Sequence, residues 1–166
     1  EVDFFEWNLL SDAGRPFHDG IKELCERFPH RCNEIRIYAM RFEESISGPI
    51  WPTVSILAEL KQAGYKLFGL SNWSAETFPP FRDRHDFFSW FDGIILSGEV
   101  KLLKPDPAIF RLTLERIGLP ASECLLIDDS SSNIQAARKL GFQVIQFETA
   151  DLLRVELNRL GVLQAG

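Results

Sequence analysis

The sequence lacks any long apolar run; its longest is a handful of residues, far short of the ~20 that a membrane-spanning helix needs. It has little cysteine. Cys25, Cys32 and Cys124 form no CxxC pair, which argues against a disulfide framework and against a structural zinc site. The expectation is three small, reduced, hydrophobic side chains in a cytoplasmic protein. Positive charge is also in deficit: 18 Lys and Arg stand against 24 Asp and Glu, a net charge of -6. That excludes a broad basic nucleic-acid surface and leaves room only for a local positive pocket. Low-complexity and collagen-like tracts are absent, and 45% hydrophobic with 25% charged residues is ordinary globular composition. Methionine occurs once, at Met40, and the chain opens Glu-Val-Asp-Phe-Phe. This opening has neither the basic start nor the apolar stretch of a signal peptide. We expect the sequence to be part of a longer product, or one whose beginning is missing.

What is present fits one domain of 166 residues, or one domain with a small insertion. Two patterns divide it. Residues 1–49 show helical periods and no convincing strand. Ile21, Leu24, Cys25 and Phe28 recur at i, i+3, i+4 and i+7, with Asp19 near the start and Pro29 as a stop. Ile35, Tyr38, Ala39, Phe42 and Ile46 repeat the stripe until Gly48-Pro49. Two such helices need a partner surface.

From residue 50 onward, short apolar runs alternate with helical text. The runs are Tyr65–Leu70, Gly93–Leu96, Cys124–Ile127 and Phe142–Phe147. Helices are expected from Pro52 to Gly64, Pro105 to Ile117, Asn133 to Leu140 and Leu152 to Leu160, the last three followed by Gly118, Gly141 and Gly161. Alternation of this kind predicts βα units and a mostly parallel, Rossmann-like sheet with helices on both faces. The fold class is α/β, with residues 1–49 as a small helical domain and 50–166 as the α/β core.

In such a sheet, ligands bind beyond the carboxyl ends of the strands. Ser71-Asn72 comes after the first run, Ser97-Gly98-Glu99 after the second and Asp128-Asp129 after the third, with Asn133 just beyond. Lys104-Pro105-Asp106 comes between the last two. Each has an ordinary reading by itself. Ser71, Ser74 or Asp129 can cap a helix, and Lys104 can be a solvated lysine. His18, His30 and His85 have no ligand spacing, and Arg82, Arg84 and His85 read as a solvated face. Trp7, Trp51, Trp73 and Trp90 read as packing, although Trp73 beside Ser71 can line a pocket. The combination points elsewhere. A hydroxyl and a backbone N–H hold phosphate oxygens, a lysine neutralises them, and adjacent carboxylates gain from a cation such as Mg²⁺. That is equipment for phosphoryl transfer.

Leu70-Ser71-Asn72-Trp73-Ser74, Lys104-Pro105-Asp106-Pro107-Ala108-Ile109-Phe110 and Leu126-Ile127-Asp128-Asp129 with Asn133 resemble the second, third and fourth motifs of the haloacid dehalogenase superfamily. The resemblance spans nearly the whole chain, and residues 1–49 resemble the family's small helical cap. It implies that Ser71 and the Asn72 backbone bind the transferring phosphoryl group. It implies that Lys104 stabilises charge on nucleophile and phosphate. Asp128 would be a direct Mg²⁺ ligand, with Asp129 and Asn133 ordering its water shell. The implied substrate is a small phosphorylated metabolite, with no nucleic acid or membrane partner. The alternatives are a 2-haloacid dehalogenase, disfavoured by Asp128-Asp129; a signalling receiver domain, in which the acidic pair comes first; and a non-catalytic binding module.

The family's first motif, Asp-x-Asp, is not in this sequence: no two aspartates stand two apart. Its first Asp is the nucleophile that forms an aspartyl-phosphate. The strand that carries it is central. We therefore expect either a slot between the strand ending at Ser71 and that ending at Asp128, or direct pairing of those two.

Overall fold

A computed structural model describes residues 4–164. The contacts divide the chain into two compact units. The first holds Glu1–Gly48, Leu70–Asp86 and Ile95–Leu103; the second holds Pro49–Gly69, Phe87–Ile94 and Lys104–Gly166.

In the first unit, α1 (Phe4–Asp12), α2 (Phe17–Arg27) and α3 (Cys32–Met40) are built around Trp7, Leu24 and Ile35. The rings of Phe17 and Tyr38 flank Trp7 at 4.8 and 6.1 Å, an edge-on arrangement that suits aromatic quadrupoles. The expected helix from Asn33 to Ile46 stops early. The Arg41 N–H is shared between the Ile37 and Tyr38 carbonyls, which tightens the chain into a 3₁₀ turn over Phe42–Ser45.

The cysteine expectation is corrected here. Cys25 and Cys32 form a disulfide. Cys25 lies in the last turn of α2, Cys32 opens α3, and a 3₁₀ turn at Pro29–Arg31 reverses the chain between them. Their Cα atoms come to 4.5 Å, within bridging range. A spacing of seven gave no CxxC signal. Cys124 alone is a free thiol, and burial pushes it up from its ordinary range.

The strands are β1 (Phe68–Ser71), β2 (Gly93–Leu96), β3 (Leu125–Asp128) and β4 (Gln143–Gln146). Between and after them lie α4 (Trp51–Gln62), α5 (Phe78–Arg82), α6 (Ser97–Val100), α7 (Pro107–Ile117), α8 (Ser131–Lys139) and α9 (Ala150–Arg159). β3 and β4 are parallel, with Leu125 opposite Gln143 and Asp128 opposite Gln146. The sheet is in two pieces: β1 pairs with β2, and β3 with β4. Among the described residues β1 and β3 do not pair, so the directly paired rearrangement is not adopted.

The second unit's core joins Ile56 and Leu60 of α4, Ile145 of β4, and Leu153 and Leu157 of α9. Helix α7 begins at Pro107, not Pro105, because the Asp106 carboxylate accepts the Ala108 N–H at 2.8 Å as a cap. Gly118 ends it at φ 73°, where a Cβ would be strained. Phe110, wholly buried, meets Phe142 with ring centroids 6.1 Å apart. Phe110→Ala is expected to cost about 3–5 kcal/mol, from lost transfer energy plus the cavity left behind. Urea unfolding checks it; a loss below ~1 kcal/mol would contradict this packing.

Candidate active site

Three of the candidate residues converge within the second unit. Lys104 lies in the turn before α7, Asp128 ends β3, and Asn133 sits in the first turns of α8. Lys104 Nζ donates to Asp128 Oδ2 at 2.6 Å. Asp128 Oδ1 accepts the Ser130 N–H and Asn133 Nδ2, both at 2.9 Å. The side chains of Lys104 and Asp128 are 12% and 4% exposed. A carboxylate so far removed from water must be compensated by charge and hydrogen bonds, and here it has both.

The local sequence explains the convergence. β3 is a short apolar strand whose last residue turns its side chain inward. Ser130 is the residue immediately before α8, with extended φ −79° and ψ 119°. That bend lets Asp128 reach both the Ser130 amide and Asn133. Asp129 faces solvent, while its carbonyl accepts Gln146 Nε2 at 3.3 Å. Asp128 and Asp129 are hard oxygen donors of the kind that suits Mg²⁺. Among the described residues no group of three His, Cys, Asp or Glu side chains could hold a metal. Asp128 and Asp129 are the carboxylates at this end of β3, one buried and one exposed.

Ser71, Asn72 and Trp73 lie in the first unit, at and beyond the end of β1. All three are half-buried. The Trp73 ring packs on Phe78 and Phe81 at 5.4 and 5.0 Å, and its Nε1 donates to Thr77 Oγ1 at 3.0 Å. The Trp73 N–H donates to Ser97 Oγ at 3.0 Å. Ser74 Oγ accepts the Glu76 N–H at 3.2 Å, so its cap-like bond closes a local turn.

Two further residues border this loop. Ser97 is marked in the sequence only by its place after the second run, and nothing there shows its bond to Trp73. Asp12, at the end of α1, has no sequence signal at all. Burial pushes the Asp12 carboxyl above its ordinary range, partly offset by a hydrogen bond with the Ser74 backbone.

The chain matches the haloacid dehalogenase-like hydrolase family over residues 1–141. It is 32% identical over 109 residues to the drimenol cyclase drtB of Aspergillus calidoustus, covering 64% of this chain and 21% of that protein. It is 30% identical over 106 residues to the sesquiterpene phosphatase astK of Aspergillus oryzae, covering 64% of this chain and 54% of that protein. The chain thus spans about a fifth to about half the length of these two curated relatives. A haloacid dehalogenase family enzyme of Bacteroides thetaiotaomicron, solved with magnesium and inorganic phosphate, superposes with a TM-score of 0.69 at 20% identity, over 86% of this chain and 77% of that one. With a matched α/β fold and a family match over most of its length, the chain belongs to the haloacid dehalogenase-like hydrolases.

Proposed function

We propose that this chain belongs to a Mg²⁺-dependent phosphatase that acts on a small phosphomonoester. The observation that carries this reading is the buried Lys104–Asp128 pair at 2.6 Å, set at the carboxyl end of β3. Two phosphatase features favour it over dehalogenation: the adjacent carboxylates Asp128 and Asp129, and the hydroxyl of Ser71 followed by the Asn72 amide.

In this reading the Ser71 hydroxyl and the Asn72 N–H bind phosphoryl oxygens. Lys104, already charged against Asp128, shares its ammonium with a phosphoryl oxygen and with the attacking carboxylate. Asp128 would hold Mg²⁺, with Asp129 and Asn133 ordering the water around it. When bound, the ion neutralises charge that develops on the transferring group. The attacking carboxylate is the first Asp of an Asp-x-Asp strand, which is not in this sequence. It would displace the alcohol from phosphorus to give an aspartyl-phosphate. The second Asp would protonate the departing alcohol and then deprotonate the water that cleaves the acyl-phosphate.

The test uses the protein in which this chain is joined to such a strand. Lys104→Met should lower kcat for p-nitrophenyl phosphate by about 10²–10³-fold, as expected for removing a preorganised positive group. Retained turnover within a few-fold of the parent would overturn the assignment.

A further inference from the structure

We infer that Ser97 and Gly98 are positioning residues for the phosphoryl-binding loop; the inference rests on the reading of Ser71 and Asn72 above. The loop after β1 is held at consecutive backbone groups. The Trp73 N–H donates to Ser97 Oγ at 3.0 Å, and the Trp73 carbonyl accepts the Gly98 N–H at 3.1 Å. Both backbone polar groups of one residue are thus fixed by the first two residues of α6, which follows directly on the neighbouring strand β2.

The bond reaches Asn72 through the rigidity of the peptide. The Trp73 N–H shares one plane with the Asn72 carbonyl. Fixing that N–H therefore sets ψ of Asn72 and the orientation of the loop just past the Ser71 hydroxyl and the Asn72 amide. A phosphoryl group reads the direction of such donors, and small misplacements are costly in rate.

Ser97 is fully buried, with 0% exposure. Water cannot stand in for its hydroxyl, so its removal leaves the Trp73 N–H without that acceptor. Gly98 is needed for a different reason. A Cβ there would lie 2.5 Å from the Ala75 nitrogen, 2.9 Å from the Trp73 oxygen and 3.0 Å from the Ser74 Cα. All three are backbone atoms, so no side chain can swing aside and the loop itself must move.

The experiment measures, in the protein carrying this chain and its Asp-x-Asp strand, the inhibition constant of inorganic phosphate and kcat/KM for p-nitrophenyl phosphate with Mg²⁺. Ser97→Ala should weaken both by about tenfold, the scale of one buried unsatisfied donor. Gly98→Ala should weaken both further. Thr113→Val is the control. Thr113 is a buried hydroxyl whose bond, among the described residues, stays within its own helix, to the Ile109 carbonyl at 2.8 Å, and its loss should leave both values unchanged. Hydrogen exchange of the parent protein needs no variant: the Trp73 amide should be protected although it lies in a loop. Parent-like phosphate affinity in Ser97→Ala, or a fast-exchanging Trp73 amide, would overturn this inference alone. A parent that neither binds phosphate nor turns over would overturn the reading beneath it.

Discussion

Asp128→Asn is expected to abolish Mg²⁺-dependent turnover, by about 10³-fold or more, in a protein that carries this chain together with an Asp-x-Asp strand. The geometry gives two reasons. Asn cannot supply the negative charge that anchors a hard cation. It also places either its amide NH₂ against the Lys104 ammonium, where Oδ2 now accepts at 2.6 Å, or against the Ser130 N–H and Asn133 Nδ2, where Oδ1 now accepts at 2.9 Å. Either orientation sets donor against donor in a site almost closed to water. Rates with p-nitrophenyl phosphate across a Mg²⁺ titration, with calorimetry of Mg²⁺ binding, check this. Turnover equal to the parent would remove Asp128 from the machinery.

The second large effect concerns the divided sheet. Residues 1–166 alone should not hydrolyse p-nitrophenyl phosphate with Mg²⁺. The same residues preceded by a strand bearing Asp-x-Asp should hydrolyse it with many turnovers. The motivation is that β1–β2 and β3–β4 are separate two-stranded sheets, and isolated pairs of this size are marginal without further strands or cover. An added parallel strand would satisfy backbone groups that a pair leaves at its edges. Turnover by residues 1–166 alone would show that another carboxylate attacks phosphorus. Asp12, partly buried beside the Ser74 backbone, would then be the one to substitute.

Much of the architecture was legible because parallel strands leave compact apolar runs and their helices end in glycine. β2 spans the run Gly93–Leu96 itself. β1 starts at Phe68, three residues later than its run, because the Leu67 N–H goes to Asp92 Oδ2 at 2.8 Å. The same bond, helped by Lys61, holds the Asp92 carboxyl below its usual range. Such a contact depends on a residue 25 positions away, which periodicity cannot register. The start of α7 is ambiguous in the sequence because Pro105 and Pro107 both suit a first helical turn, and only the Asp106 cap decides between them. The disulfide was illegible because it needs the reversal at Pro29–Arg31. For the site, the motifs single out Lys104, Asp128 and Asn133, whose side chains are in hydrogen-bond contact. The hold of Ser97 on Trp73 carried no signal, since a serine after a strand reads equally well as an ordinary cap.

The two compact units are interleaved in sequence. Going from residue 1 to 166 the chain passes from one to the other five times, at 48/49, 69/70, 86/87, 94/95 and 103/104. Four of the five passages fall between residues 69 and 104, and two of them are inside strands β1 and β2. No single cut can therefore free either unit whole. A gene fragment covering residues 1–48 would encode three helices without the loop 70–86 and turn 95–103 that complete their unit. Swapping the helical region with that of a relative thus means exchanging three separate stretches together, and a truncation from either end that reaches into residues 70–103 removes parts of both units at once.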